Sequence, residues 1–142
     1  MKIKILLVDD EKEFIKTLAQ RLKIRNFAVT TVYSGQDAID IAKENDFDVI
    51  ILDVFMPEIT GIDALKQINK IKPLTQIILL TGAATVENAI QGMKLGAFDF
   101  LMKPANTELL VEKITQAHAL KHEHEERIRQ AEIENILKTR GW

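Results

Sequence analysis

Four apolar runs in this chain each end on a group that can handle charge. Ile5-Leu6-Leu7-Val8 stops at Asp9-Asp10, Val49-Ile50-Ile51-Leu52 at Asp53, Ile77-Ile78-Leu79-Leu80 at Thr81, and Phe98 to Met102 at Lys103. Strands that are apolar at every position, rather than at every second one, are covered on both faces, as in parallel sheets whose crossover helices pack above and below. In such sheets ligand sites form outside the carboxyl ends of the strands. Three carboxylates, a hydroxyl and an ammonium would then converge on one spot, which describes a Mg²⁺-dependent phosphoryl site.

The segments between the runs carry helical spacing. The five strands expected are Ile3–Val8, Ala28–Val32, Val49–Leu52, Ile77–Leu80 and Phe98–Met102. Helix one, from about Glu11 to Ile24, turns Phe14, Ile15, Leu18, Ala19 and Leu22 inward. Ser34 caps a second helix that buries Ala38, Ile41 and Ala42 and ends near Asn45. Thr60-Gly61 opens a third, with Ile62, Leu65 and Ile68 inward and Pro73 beyond its end. The fourth starts near Thr85, presents Val86, Ala89, Ile90 and Met93, and stops at Gly96. Strict βα alternation implies right-handed crossovers and a doubly wound sheet. With five strands the expectation is the flavodoxin-like order 2-1-3-4-5, whose switch point between strands one and three sets Asp9, Asp10 and Asp53 side by side.

From Thr107 to about Thr139 no Gly or Pro interrupts the chain, so one helix of ~33 residues, ~50 Å long, is expected. Leu110, Ile114 and Ala117 form its core face, Lys121 to Arg127 holds no apolar residue, and Ile128, Ala131, Ile133, Ile136 and Leu137 resume. Covering the sheet needs only ~12–15 residues, so the rest should project or fray. The chain therefore divides into a domain over 1–119 and a helical extension or linker over 120–142, which serves either as a modest homodimer element or as a linker stub.

At 142 residues there is room for one domain with a proper core and not for two. Net charge is −2 with acids and bases interleaved, which argues against direct nucleic-acid or membrane-surface binding. The absence of cysteine removes disulfides and thiolate metal sites. No apolar stretch reaches membrane-spanning length, and Met1-Lys2 runs straight into the first strand with no leader, so a cytoplasmic protein is expected.

A single Asp after a strand is ordinarily an N-cap or turn residue. Three together are different, because two charges ~5 Å apart repel by ~3 kcal/mol at an effective dielectric of 20. A cation offsets that cost, and all-oxygen ligands without His or Cys select Mg²⁺, with Mn²⁺ as the alternative. The helix-spaced His118 and His122, with His124, read as a solvated charged face, as does the run Lys121–Arg129. Phe98 reads as a strand core residue, and Met56-Pro57 as a turn with an apolar plug.

These residues resemble the receiver domain of bacterial two-component response regulators over about residues 3–118. The matching features are Asp9-Asp10 after strand one, Asp53 through Gly61 as D-x-x-M-P-x-x-x-G, Thr81-Gly82-Ala83 after strand four, and Lys103-Pro104 after strand five. The stretch Gly96 to Pro104 is similar to receivers fused to ATPase transcription activators, although no ATPase domain is present. The resemblance implies that Asp53 takes a phosphoryl group from the phosphohistidine of a sensor histidine kinase or a histidine phosphotransfer protein. It implies that Asp9, Asp10, the Asp53 carboxylate and the backbone carbonyl of Phe55 hold Mg²⁺, and that Lys103 and Thr81 engage the phosphoryl oxygens. Phe100 takes the position of the switch aromatic that follows Thr81 inward, remodelling a face of helix four, strand five and helix five for an output partner. Lys103-Pro104 is expected to be cis, and Phe55 and Ala83 flank the path of the hydrolytic water.

Other classes remain open from the residues alone. An aspartyl phosphohydrolase would want a second acid two residues after its nucleophile, where this chain has Phe55. A nucleotide binder would want a glycine-rich loop after strand one, where Asp9-Asp10-Glu11 carries the wrong charge for a phosphate cradle. An adaptor that has lost phosphorylation would not need the full set of site residues.

Overall fold

The computed structural model of the chain describes residues 1–82 and 85–139. Its elements run β1 (Lys4–Val8), α1 (Lys12–Ile24), β2 (Ala28–Val32), α2 (Gly35–Glu44), β3 (Val49–Asp53), α3 (Gly61–Ile71), β4 (Gln76–Thr81), α4 (Val86–Lys94), β5 (Asp99–Met102) and α5 (Thr107–Thr139). All neighbouring strands pair in parallel, in the order β2-β1-β3-β4-β5. The chain is thus a doubly wound, flavodoxin-like α/β domain with an extended C-terminal helix.

Alternation along the buried strands divides the core in two. Leu6, Val8, Ile50, Leu52, Ile77 and Leu79 point toward α2, α3 and α4 and pack with Ile39, Leu65 and Ala89. Ile5, Leu7, Val49, Ile51, Ile78 and Leu80 point the other way and pack with Ile15, Leu22, Leu110 and Ile114 of α1 and α5. β3 and β4, at the centre, are buried at every position, whereas the edge strand β2 is at most half-buried. That is the pattern the continuous apolar runs require.

The caps lie where the polar residues allow. Ser34 Oγ accepts from Asp37 N and Thr60 Oγ1 from Asp63 N, which anchors the starts of α2 and α3. Gly96, with φ of +109°, ends the turn after α4. Two inward faces differ from the helical spacing read in the sequence. In α2, Ile39 is fully buried and Ile41 only partly. In α4 the buried residues are Ala89 and Gly92, while Ile90 is 46% exposed. A Cβ on Gly92 would stand 2.3 Å from Leu79 Cδ1. The helix therefore lies against the sheet along its small residues, and the bulkier Ile90 is rolled outward.

α5 is a single helix of 33 residues. Leu110, Ile114 and Ala117 are buried, and Lys121 Nζ still reaches back to Asp48 Oδ1 at 3.3 Å. Ile128, Ile133, Ile136 and Leu137 are exposed.

One turn of backbone is held more tightly than the rest. After Asp53 the chain loops through Phe55–Thr60 and returns so closely that Gly61 N donates to Val54 O at 2.9 Å. A Cβ at Gly61 would lie 2.1 Å from the Asp53 carbonyl oxygen and 2.7 Å from Val54 Cα, backbone atoms that cannot swing aside. Gly61→Ala is expected to lower unfolding stability by roughly 1–3 kcal/mol or more. A urea midpoint unchanged from the wild type would show that residues 54–60 yield without strain.

Candidate functional site

The site is assembled at the carboxyl ends of four adjacent strands, β1, β3, β4 and β5. Register pairs Val8 with Leu52, so Asp9, one residue past β1, stands beside Asp53, the last residue of β3. Asp9 N donates to Val32 O, and Asp9 Oδ1 accepts from Glu11 N at 2.9 Å, a local turn that leads into α1. Asp9 and Asp53 are almost fully buried, and Asp10 is exposed. One carboxylate oxygen from each of the three lies within 4.8 Å of the others. Among the described residues this is the one such group of three or more potential ligands; His118, His122 and His124 form none.

Lys103 reaches the cluster from β5. Its backbone is fixed by Lys103 N donating to Thr81 O at 2.8 Å, and the following peptide to Pro104 is cis. Its ammonium lies 2.7 Å from Asp9 Oδ2, 3.0 Å from Glu11 Oε1 and 3.6 Å from Asp53 Oδ1, and 4.8 Å from the centre of the Phe14 ring. Asp9 Oδ2 has no partner in good hydrogen-bond geometry, so the 2.7 Å approach is an ionic contact rather than a directed bond. Sequence reasoning missed Glu11 and Phe14 as neighbours of Lys103. Glu11 adjoins the acid pair and so could have been included, but nothing in the spacing signals Phe14.

Thr81 is buried. Its hydroxyl shares a hydrogen bond with the Thr85 hydroxyl and donates to Gly82 O at 3.1 Å, so its partners lie on the turn before α4 and not at Asp53. Phe100 is half-buried against the core cluster on the α2–α4 side. Phe55 is 69% exposed and, with Glu11, Asp53, Thr85, Asn88 and Lys103, lines an open cavity of about 440 Å³. Ala83 lies outside the described residues.

The electrostatics follow from burial. Desolvation pushes the Asp53 carboxyl up to about 7, helped by the nearby Asp9 and Asp10 charges and opposed by Lys103 and the Phe55 amide. Burial likewise raises Asp9, against Lys103 and the Glu11 amide. Burial pulls the Lys103 ammonium down, but Asp9, Glu11 and Asp53 outweigh it and the net shift is upward. The carboxylate set fits a hard divalent cation. Ligands of an octahedral Mg²⁺ at ~2.1 Å stand ~3–4 Å apart, so oxygens within 4.8 Å need only a small contraction. Asp9 Oδ2, without a directed donor, has lone pairs to offer.

Residues 5–115 match the family described as the response regulator receiver domain. The transcriptional regulatory protein ZraR of Salmonella typhimurium is 37% identical over 118 residues, which cover 83% of this chain and 27% of that protein. The cell cycle response regulator CtrA of Brucella ovis is 31% identical over 112 residues, 79% of this chain and 48% of the relative. The chain thus spans from about a quarter to about half the length of these relatives. A response regulator receiver domain protein from Clostridium thermocellum superimposes with a TM-score of 0.81 at 38% identity, covering 84% of this chain and 96% of that one.

A pH dependence follows for the metal-free protein. With a native value near 7 and an unfolded value of ~3.9, Asp53 holds a proton in the folded state that the unfolded chain releases. Its contribution therefore costs stability as pH rises from about 4 to about 7, and Asp9 acts in the same direction. Without Mg²⁺, Asp53→Asn is expected to be more stable than the wild type at pH 7.5, by on the order of 2 kcal/mol. The gap should close toward pH 4. A gap that is absent, or that widens on acidification, would contradict this account.

Proposed function

The chain belongs to the response regulator receiver domain family, and on that premise we propose that it is a phosphorylation-driven signalling switch whose acceptor is Asp53. Receiver domains are switches rather than conventional enzymes. The observation that carries the reading is a buried carboxylate at the end of a central strand, with two more acids beside it and a half-buried ammonium 3.6 Å away.

In the proposed reaction an Asp53 carboxylate oxygen attacks the phosphorus of a phosphohistidine. The P–N bond breaks as the new P–O bond forms, and its electron pair leaves on the imidazole nitrogen. Asp9, Asp10, the Asp53 carboxylate and the backbone carbonyl of Phe55 would hold Mg²⁺ or Mn²⁺, which when bound neutralises phosphoryl charge in a transfer that needs mainly positioning. Lys103 sits close enough to turn from the Asp53 carboxylate to a phosphoryl oxygen. Thr81 would give up its Thr85 partner to hydrogen-bond another, and Phe100 would follow into the space vacated. That movement would remodel the face of α4, β5 and α5 that an output partner reads. The phosphodonor would be a sensor histidine kinase or a histidine phosphotransfer protein, and the location cytoplasmic. Among the described residues no helix is long and apolar enough to cross a membrane. No direct nucleic-acid contact is proposed.

Incubation with acetyl phosphate and Mg²⁺ is expected to add one phosphoryl by intact mass, in the wild type and not in Asp53→Asn or without Mg²⁺. After donor removal the label should persist for many minutes, because exposed Phe55 offers no group to orient water, help that is worth ~10²-fold where it exists. Phe55→Asn should shorten that lifetime. Hydrogen exchange of the labelled sample should change most at residues 85–92 and 98–103. Full labelling of Asp53→Asn would sink the assignment.

We propose further that residues 1–119 form the receiver unit and that the helix beyond is either a homodimer element or a linker to another segment. The exposed Ile128, Ile133, Ile136 and Leu137 favour pairing, though they follow no clean heptad. Sedimentation of the intact chain and of one cut after Ala119 decides this. A dimer lost on cutting supports pairing, and a monomer throughout leaves the linker.

A further inference from the structure

We propose that Glu11 is a positioning residue that holds Lys103 back from Asp53 and so restrains phosphorylation of the resting protein. The inference rests on the reading of Asp53 as phosphoacceptor and adds a control on that site. Glu11 occupies the N-cap position of α1, yet its side chain makes no capping hydrogen bond. Instead its carboxylate reaches 3.0 Å to the ammonium of Lys103, a residue 92 positions away in the chain. The backbone beneath it is fixed, because Glu11 N donates to Asp9 Oδ1. The same short turn thus orients Asp9 and places a second anion at the mouth of the site.

Lys103 is consequently shared. Asp9 at 2.7 Å and Glu11 at 3.0 Å lie within direct contact, Asp53 at 3.6 Å lies beyond it, and the Phe14 ring face at 4.8 Å takes up one more side of the ammonium. An ammonium has three donors. One is directed at Glu11 and the ionic contact with Asp9 is closer still, so Asp53 receives the weakest share of the positive charge that its phosphoryl oxygens would need. Asp9 is buried in the floor and cannot be the adjustable partner. Glu11, whose side chain is 65% exposed, can be. An exposed ion pair contributes little to folding stability, so the contact should appear in kinetics rather than in unfolding. Glu11 also lines the cavity over Asp53 beside Phe55, so its charge faces any anionic donor that enters.

Removing that charge should turn Lys103 toward Asp53 and ease the approach of a phosphodonor. The test uses the intact chain with Mg²⁺ and acetyl phosphate and compares wild type, Glu11→Gln and Glu11→Asp by the rate of mass gain over a range of donor concentrations. Glu11→Gln is expected to label three- to tenfold faster, on the order of one screened charge at this distance, with thermal unfolding unchanged. Glu11→Asp, which keeps the charge, should return toward the wild-type rate. In ¹⁵N-lysine-labelled protein without donor, the Lys103 Nζ resonance should move in Glu11→Gln, a signature that a merely structural residue would not give. A wild type that labels, with a Glu11→Gln rate equal or lower, overturns this inference alone. A faster variant whose Lys103 resonance stays in place also overturns it, because the charge then acts on the donor directly. Failure of every form to label removes the Asp53 reading and this inference with it.

Discussion

One half-buried ammonium holds the carboxyl edge of the sheet together. Asp9 and Asp53 are brought side by side by a register that the core dictates, with Val8 against Leu52 and every position of β3 excluded from water. The strands cannot slip to relieve the acids, since a one-residue slip would turn each apolar side chain to the wrong face. Two like charges at this separation cost a few kcal/mol, and burial adds to it. Lys103 offsets part of that cost, and Asp53 keeps its proton to about pH 7 because the offset is incomplete. The site is left with anionic oxygen in excess of cation, which is the condition under which a hard divalent ion binds.

The position of Lys103 ties the acids of β1 and β3 to the ends of β4 and β5 on the same edge. Its backbone amide donates to Thr81 O, and Thr81 pairs in register with Met102 of β5. On the proposed role, charge added at Asp53 would act on both Lys103 and Thr81, which lie at the end of the β4–β5 pair that carries Phe100. Thr81 has a competing bond to Thr85, worth ~1 kcal/mol net. A bond of that size holds one arrangement without locking it, as a two-state element requires. On the proposed role, Thr85 and Glu11 are two small restraints on the resting form, one on the hydroxyl and one on the ammonium.

The architecture was legible in the sequence because it is written in long apolar runs. Strand order, the caps at Ser34 and Thr60 and the stop at Gly96 all follow from residue types whose local preference agrees with the fold. The ends of elements were less so. β3 and β4 each extend into their polar residue, Asp53 and Thr81, because the ladder continues beyond the apolar part. The α4 face was misread, since helical spacing counts Ile90 as an inward residue and cannot register that Ala89 and Gly92 allow a closer approach. In the site, the ends of the apolar runs brought out the three clustered acids and Lys103. They could not weigh Asp9 against Asp10, adjacent residues of one type of which one is buried and the other exposed. The contacts of Glu11 and Phe14 with Lys103, and of Thr85 with Thr81, were not legible because each depends on the turn geometry around α1 and α4.

α5 carries the same logic outward. Its buried face ends at Ala117, and the ion pair of Lys121 with Asp48 is the outermost of its salt bridges to the body. Beyond that point the helix persists to Thr139 with i,i+3 and i,i+4 pairs along its surface, Lys121 with Glu125, Glu123 with Arg127 and Glu126 with Arg129. Each such pair contributes only a few tenths of a kcal/mol, so the distal helix owes its order mainly to being nucleated by the packed first turns. Nucleation is the costly step of helix formation, and propagation from an existing turn avoids it. With no Gly or Pro between Thr107 and Thr139 there is no hinge to absorb a rotation of the packed segment. A rotation of α5 where it packs on β4 would therefore be carried along the helix toward the exposed Ile133 and Leu137.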